Sequence, residues 1–211
     1  KYAELPVELN DDEKWKWEGK DFPRIISLLE FKEFMETSEA KFPKCCILNG
    51  GEYEPESRHI KTEEITYCNY EENKEKYDLL NLNLPRKDYD LIVCNQTLEH
   101  VQDPCLAAKN IHRHLNKEGV VYASVPVVSP PHDCPFHFYT GITPVGLGCI
   151  FKLANFEILD IGVWGNSEYI NHILSPPRYD KLPFPDYKMI KNYQNDFDRP
   201  VIAWIFAKKN S

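Results

Sequence analysis

Three short stretches of this chain are apolar on nearly every residue: "CCILN" at 45–49, "YDLIVC" at 89–94 and "VVYASVP" at 120–126. A strand with one face in water alternates apolar and polar side chains, whereas a run apolar at every position has packing on both faces. The runs are too short for independent helices and are flanked by turn-forming or acidic residues. Segments of helical period lie between them. The combination predicts parallel βαβ units and a doubly wound α/β sheet with helices on both faces.

The remaining elements follow from local signals. "FPRIISLLEFKEFMETSEA" sets Ile25, Ile26, Leu29 and Met35 near helical spacing, predicting a helix over 23–38. Ile65–Cys68, Tyr77–Leu80, 156–164 and 201–207 complete the predicted strands. Asp103-Pro104 is an N-cap and first-turn pair, Leu106, Ala107, Ile111 and Leu115 share the helical face that follows, and Gly119 is expected to close it. Residues 126–142 carry four prolines and no periodicity, a stiff but irregular loop, and Thr143-Pro144 starts another helix. The polar segment 1–21 holds Trp15 and Trp17, expected either in a short edge strand or across a pocket. Ligands of such sheets sit beyond the carboxyl ends of the strands, so function is expected just after Asn49, Cys68, Leu80, Cys94 and Val125.

Composition narrows the partners. A net charge of −8 without a basic cluster repels a phosphate backbone, so nucleic acid is not an expected partner. No apolar run is long enough to span a bilayer. The seven cysteines include no CxxC pair, which predicts reduced, packed thiols, a cytoplasmic location and no zinc site; no metal ligands are assigned. A start at Lys1 is expected of a piece of a longer chain.

"YDLIVCNQTLEHVQDP" (89–104) resembles the fourth-strand motif of class I S-adenosylmethionine (SAM)-dependent methyltransferases of the type 11-like group. "VPVVSPPHDCPFHFYTGITPVGLGCIFKLANFEIL" (125–159) is similar to the region after their fifth strand, where a Pro- and His-bearing loop leads into a "TP.GL" helix. The resemblance covers about 45–165, and 201–208 fits the family's last, antiparallel strand. It implies one domain over 1–211, with 1–40 an N-terminal helical or capping segment, and a seven-stranded Rossmann-like sheet carrying SAM across the ends of strands one to four.

Carried over residue by residue, the resemblance puts Asn49, Gly50 and Gly51 at the turn that approaches the methionine part of the cofactor. Glycine allows that approach because it has no Cβ. Asn49 replaces the family's acid there, and Glu52 or Glu54 supplies the missing charge toward the ammonium group. Asn69 falls where an acid usually grips the ribose, with Glu71 or Glu72 as substitutes, and Asn81 or Asn83 falls near the adenine amine. Asn95 and Gln96 match residues that line the cofactor from beneath, with Leu98 packing nearby.

Methyl transfer from a sulfonium is an in-line displacement, so the protein mainly aligns an acceptor and removes its proton. His132, Asp133 and His137 on the Pro-rich loop suit that task, one imidazole as base and Asp133 orienting it. His100 stands in the family motif as a structural or catalytic group, His172 is a weaker candidate, and His112 and His114 on the predicted helix have no assigned role. Some sugar methyltransferases of this fold hold a divalent cation with acids and histidines, and Glu99 and Asp133 are the residues available for that. The loop resembles those of enzymes of glycan assembly, which implies O-methylation of a sugar hydroxyl, such as a terminal deoxyhexose like rhamnose, by a domain fused to glycosyltransferases. A phenolic or quinone acceptor is the competitor within the class. The altered turn "NGGEYEP" also suits a catalytically silent binding module, and absence of GxGxxG argues against a nicotinamide-dependent reductase.

Overall fold

A computed structural model describes residues 22–62, 64–175 and 192–210. Its strands are β1 (Lys44–Leu48), β2 (Glu64–Cys68), β3 (Tyr89–Asn95), β4 (Leu115–Pro126), β5 (Phe156–Trp164) and β6 (Ile202–Lys209). They form one sheet in the order β2-β1-β3-β4-β6-β5. The first four run parallel, and β6 pairs antiparallel with both β4 and β5. Helices α1 (Phe22–Thr37), α2 (Lys74–Tyr77), α3 (Pro104–His114), α4 (Pro144–Leu153) and α5 (Ser167–Leu174) complete it.

Alternation along the apolar strands explains the two layers. Cys46, Leu48, Ile92, Cys94, Val121 and Ala123 face α3 and α4, where they meet Ala107, Ile111, Leu147 and Phe151. Their neighbours Cys45, Ile47, Leu91, Val93, Val120 and Tyr122 face α1 and α5 and meet Phe22, Ile26, Phe31 and Tyr169. All seven cysteines are free, and Cys45, Cys46, Cys68 and Cys94 are buried. Burial pushes the Cys45 and Cys94 thiols up to about 12, so both act as small packing groups. No helix among the described residues is long and apolar enough to cross a membrane.

Two expectations are corrected. Among the described residues the sheet has six strands rather than the seven expected, because Tyr77–Leu80 is not a strand. Asn73 caps α2 by accepting from the Lys76 amide, and Asp78 caps a 3₁₀ turn over Leu79–Asn81 by accepting from the Leu80 amide, so two adjacent caps nucleate helical turns. Gly119 does not end α3, which stops at His114. Leu115 already pairs with Tyr89, and Val120 pairs next with Leu91, so the residues between them bulge from the strand. Gly119 lies inside that bulge, where a Cβ would stand 2.8 Å from the Tyr89 carbonyl oxygen. Trp15 and Trp17 lie outside the described residues.

His114 helps to terminate α3. Its Nδ1–H donates to the Asn110 carbonyl at 2.8 Å, and Nε2 accepts the Leu84 amide at 3.2 Å. Only the neutral ring makes both bonds. Burial depresses its pKa, so the unfolded chain binds the proton first and this contribution to stability is lost as pH falls below the ordinary histidine value. His114→Ala is expected to cost about 2 kcal/mol at neutral pH and to flatten that acid slope. Urea unfolding midpoints measured across the acid range check both.

Candidate active site

The carboxyl ends of β1, β2 and β3 open into a cavity of about 730 Å³. One end is built by Asn49 after β1, Tyr70 and Glu71 after β2, and Asp78 with Leu79 and Leu80. The other end is built by His100, Val101 and Gln102 before α3, and by Asp133, Phe136 and Phe138 from the Pro-rich loop. Both ends belong to one concavity at the edge of a parallel sheet, where α/β proteins place ligands.

The turn after β1 is tight. Asn49 has a left-handed backbone (φ 54°), and its amide donates to the Cys68 carbonyl at 2.8 Å. A Cβ on Gly50 would stand 2.5 Å from Glu54 Cγ, and one on Gly51 would stand 2.7 Å from the Tyr53 ring. The clearance that the glycines leave is thus taken by the side chains of Glu54 and Tyr53. Glu52 points into solvent.

Beneath this turn lies a buried polar network. Arg24 of α1 places Nη1 2.6 Å from Glu56 Oε1 and Nη2 3.7 Å from Glu54. Glu56 is wholly buried and also accepts from Asn95 Nδ2. The Ser124 hydroxyl donates to Asn95 Oδ1 at 3.2 Å, and Gln96 Nε2 donates to Ser124 Oγ at 3.1 Å. Asn95 and Gln96 therefore brace the strand ends without lining the cavity, and Leu98 is fully buried in the core. Glu56 Oε2 is buried with no partner.

Around β2 and its connection to β3, Asn69 Oδ1 accepts the Glu71 amide at 3.0 Å and so folds back onto its own loop. That turn presents Tyr70 and Glu71 to the cavity. Glu72, Asn81 and Asn83 are exposed and lie outside its lining. Asp78 stands in the wall instead. Sequence reasoning missed it because a supposed strand over Tyr77–Leu80 hid the capping acid that opens the 3₁₀ turn.

Three imidazoles gather near the opposite end; His100 lines the cavity, and the predicted catalytic residues His132 and His137 do not, although Asp133 between them does. His132 and His137 come from the Pro-rich loop and His100 from the turn before α3, with ring centroids 4.3–5.4 Å apart. The loop reaches His100 because the amides of Phe138 and Tyr139 both donate to the Glu99 carbonyl, at 3.0 and 3.1 Å. His132 Nδ1 faces the Pro130 carbonyl at 3.0 Å and the Ser129 hydroxyl at 3.3 Å, so backbone and serine, not Asp133, orient this ring. His100 Nδ1 faces the Phe136 carbonyl at 3.2 Å. Burial first, then the neighbouring imidazoles, hold His100 and His137 below the ordinary histidine pKa. Glu99 is 1% exposed, and burial pushes its carboxyl up to about 8, so it is largely protonated at neutral pH beside His100. His112 and His114 lie on α3, and His172 on α5.

Residues 25–159 match the family model described as a methyltransferase domain. No curated protein sequence matches the chain significantly. Among solved structures, the [4+2]-cyclase SpnF is similar with a TM-score of 0.57 at 14% identity, over 90% of this chain and 83% of that one. A 1,6-didemethyltoxoflavin-N1-methyltransferase of Burkholderia thailandensis, bound to 1,6-didemethyltoxoflavin and S-adenosylhomocysteine, gives 0.54 at 12% identity, over 88% and 79%. A phosphoethanolamine N-methyltransferase of Haemonchus contortus, in complex with S-adenosyl-L-methionine, gives 0.52 at 16% identity, over 89% and 53%. At these identities the likeness is one of fold, and the reactions named among the three include a cyclisation as well as methyl transfers.

Proposed function

The chain belongs to the family of methyltransferase domains, and we propose that it uses SAM to methylate a hydroxyl group, with a sugar as the acceptor class. The observation that carries this reading is the chemical division of one cavity, with Asn49 of the glycine turn and the acids Glu71 and Asp78 at one end and His100, clustered with His132 and His137, at the other.

The first end suits the cofactor. Glu71 and Asp78 offer carboxylates to ribose hydroxyls and an adenine amine, while Tyr70, Leu79 and Leu80 give apolar walls to the base. The cationic methionine end would lie against the glycine turn, with Glu54 rotating aside from Gly50 to make room for it. Bound SAM supplies a methyl group on a sulfonium, and its transfer to oxygen leaves the neutral thioether. At the second end an imidazole lone pair receives the proton that the acceptor hydroxyl releases. Phe136, Phe138 and Tyr139, each more than a third exposed on the same loop, offer faces against which a sugar ring stacks.

A second reading, a methyltransferase-like module without turnover, is favoured by one observation. Glu54 and Tyr53 fill the space over both glycines, and Arg24 already neutralises Glu54 and Glu56. Calorimetric titration separates the two. The enzyme reading expects heat with SAM and with S-adenosylhomocysteine, together with labelled methyl transfer to a hydroxyl acceptor in a panel of sugars. Asp78→Asn retains an oxygen to cap the Leu80 amide but loses the charge, and is expected to weaken SAM about tenfold. No heat at millimolar ligand leaves only the silent module, and transfer solely to nitrogen acceptors overturns the hydroxyl assignment.

A further inference from the structure

We propose that His100, His132 and His137 bind a divalent transition-metal cation of the zinc class, at the acceptor end of the cavity. One ring nitrogen from each residue lies within 4.8 Å of the other two. Nitrogens held at about 2.0–2.1 Å from a tetrahedral zinc ion stand roughly 3.3 Å from one another, so the rings need close by no more than about 1.5 Å. Small rotations of three half-buried side chains, two of them on a loop, supply that movement.

The hydrogen bonds around the rings favour the same conclusion. A carbonyl only accepts, so His132 Nδ1 facing Pro130 and His100 Nδ1 facing Phe136 are the protonated nitrogens. In the neutral rings Nε2 of each then carries a free lone pair. Backbone carbonyls orient metal-ligating imidazoles in this way, fixing both tautomer and ring direction. His137 has both ring nitrogens buried without a hydrogen-bond partner. An unpartnered buried imidazole beside two rings whose lone pairs are free is a cost to the fold, and an ion at their centre removes it.

The donor set selects the ion. Three imidazoles suit zinc and its transition-metal neighbours, whereas magnesium and calcium demand oxygen ligands. Cys134 is exposed on the same loop but is not one of the converging groups. Three protein ligands leave a fourth position open. An acceptor oxygen that fills it is acidified by the cation and gives its proton to solvent, and the imidazoles then serve as ligands rather than as bases. This last step rests on the methyl-transfer reading, while cation binding does not. A bound ion would also staple the Pro-rich loop to the turn before α3.

The test is a cobalt titration of the chelator-stripped chain without SAM, followed by visible absorption. One equivalent is expected to bind with the spectrum of nitrogen-ligated cobalt, and zinc is expected to displace it. His100→Gln, His132→Gln and His137→Gln should each weaken binding by more than about 100-fold, beyond the loss typical of outer-shell partners, with His172→Gln on α5 unchanged. Far-ultraviolet dichroism establishes that each variant is folded, and the wild-type spectrum alone decides between nitrogen and sulfur ligands if one is not. No binding at submillimolar cobalt, equal binding by all three variants, or a thiolate-to-cobalt band that vanishes in Cys134→Ser overturns the site. A chain that binds cobalt but not SAM upholds the cation site and overturns the methyl-transfer reading, and the opposite pattern does the reverse.

Discussion

Replacing Arg24 with methionine is expected to lower the unfolding free energy by about 3–5 kcal/mol, the loss typical when one partner of a buried ion pair is removed. Glu56 is wholly buried, and among the described residues its charge is met by the Arg24 guanidinium and the Asn95 amide. Without Arg24 the carboxylate keeps its desolvation cost and loses its counter-charge. The double variant Arg24→Met with Glu56→Gln is expected to recover most of the loss, because an amide in that position leaves no buried charge. Urea unfolding of the wild type, both single variants and the double variant measures the coupling. Equal midpoints for wild type and Arg24→Met would show that the pair contributes nothing to the fold.

The same network explains why α1 belongs to the site although its sequence reads as a plain amphipathic helix. Arg24 sits between Phe22 and Ile25, both fully buried, on the face turned toward the sheet. A guanidinium at such a position is held by a specific partner or not tolerated. Its partner lies 32 residues on, in a 3₁₀ turn over Pro55–Arg58 whose sequence carries no periodic signal. From there the chain of bonds reaches Asn95 and Ser124 at the ends of β3 and β4. The floor of the cavity is thereby fixed by residues from four separate segments.

Strands apolar on both alternations were legible because burial on two sides leaves no room for a polar residue, and β1, β3 and β4 appear where that pattern predicts. The Asp103-Pro104 and Thr143-Pro144 caps were legible for an equally local reason, each side chain accepting an amide three residues on. Tyr77–Leu80 misled because three large side chains after a charged run read as a strand, while the caps that decide its conformation are Asn73, four residues before it, and Asp78 within it. Gly119 misled because a glycine ending a helix and a glycine pressed against a neighbouring strand leave the same letter in the sequence. The site divides along the same line. Asn49, Gly50 and Gly51 follow an obvious strand, so their placement at its carboxyl end was readable. The meeting of His100 with His132 and His137 was not, since it depends on how a Pro-rich loop folds back to the Glu99 carbonyl.

Gly141→Ala is expected to remove the imidazole cluster while leaving the sheet intact. A Cβ at this position would lie 1.8 Å from the Val127 carbonyl oxygen, a backbone atom that no side-chain rotation can move away. The contact closes the neck of the Pro-rich loop, which is otherwise held by the Ile142 amide on Pro126 at 2.9 Å and the Ser129 amide on the Thr140 carbonyl at 2.8 Å. Opening the neck to admit a methyl group breaks these bonds at a cost of about 3 kcal/mol or more, since the freed groups lie where the chain is partly buried. β4 ends at Pro126 and α4 begins at Pro144, so the strain falls on the segment between them rather than on either element. Far-ultraviolet dichroism should therefore change little, whereas cobalt affinity should fall as far as in the histidine variants, because the loop carries two of the three rings. SAM affinity should hold, since Glu71, Asp78 and the β1 turn lie at the other end of the cavity. A variant that keeps full cobalt affinity would show that the neck does not set the position of the loop, and one that loses SAM as well would show that the two ends of the cavity are not separable.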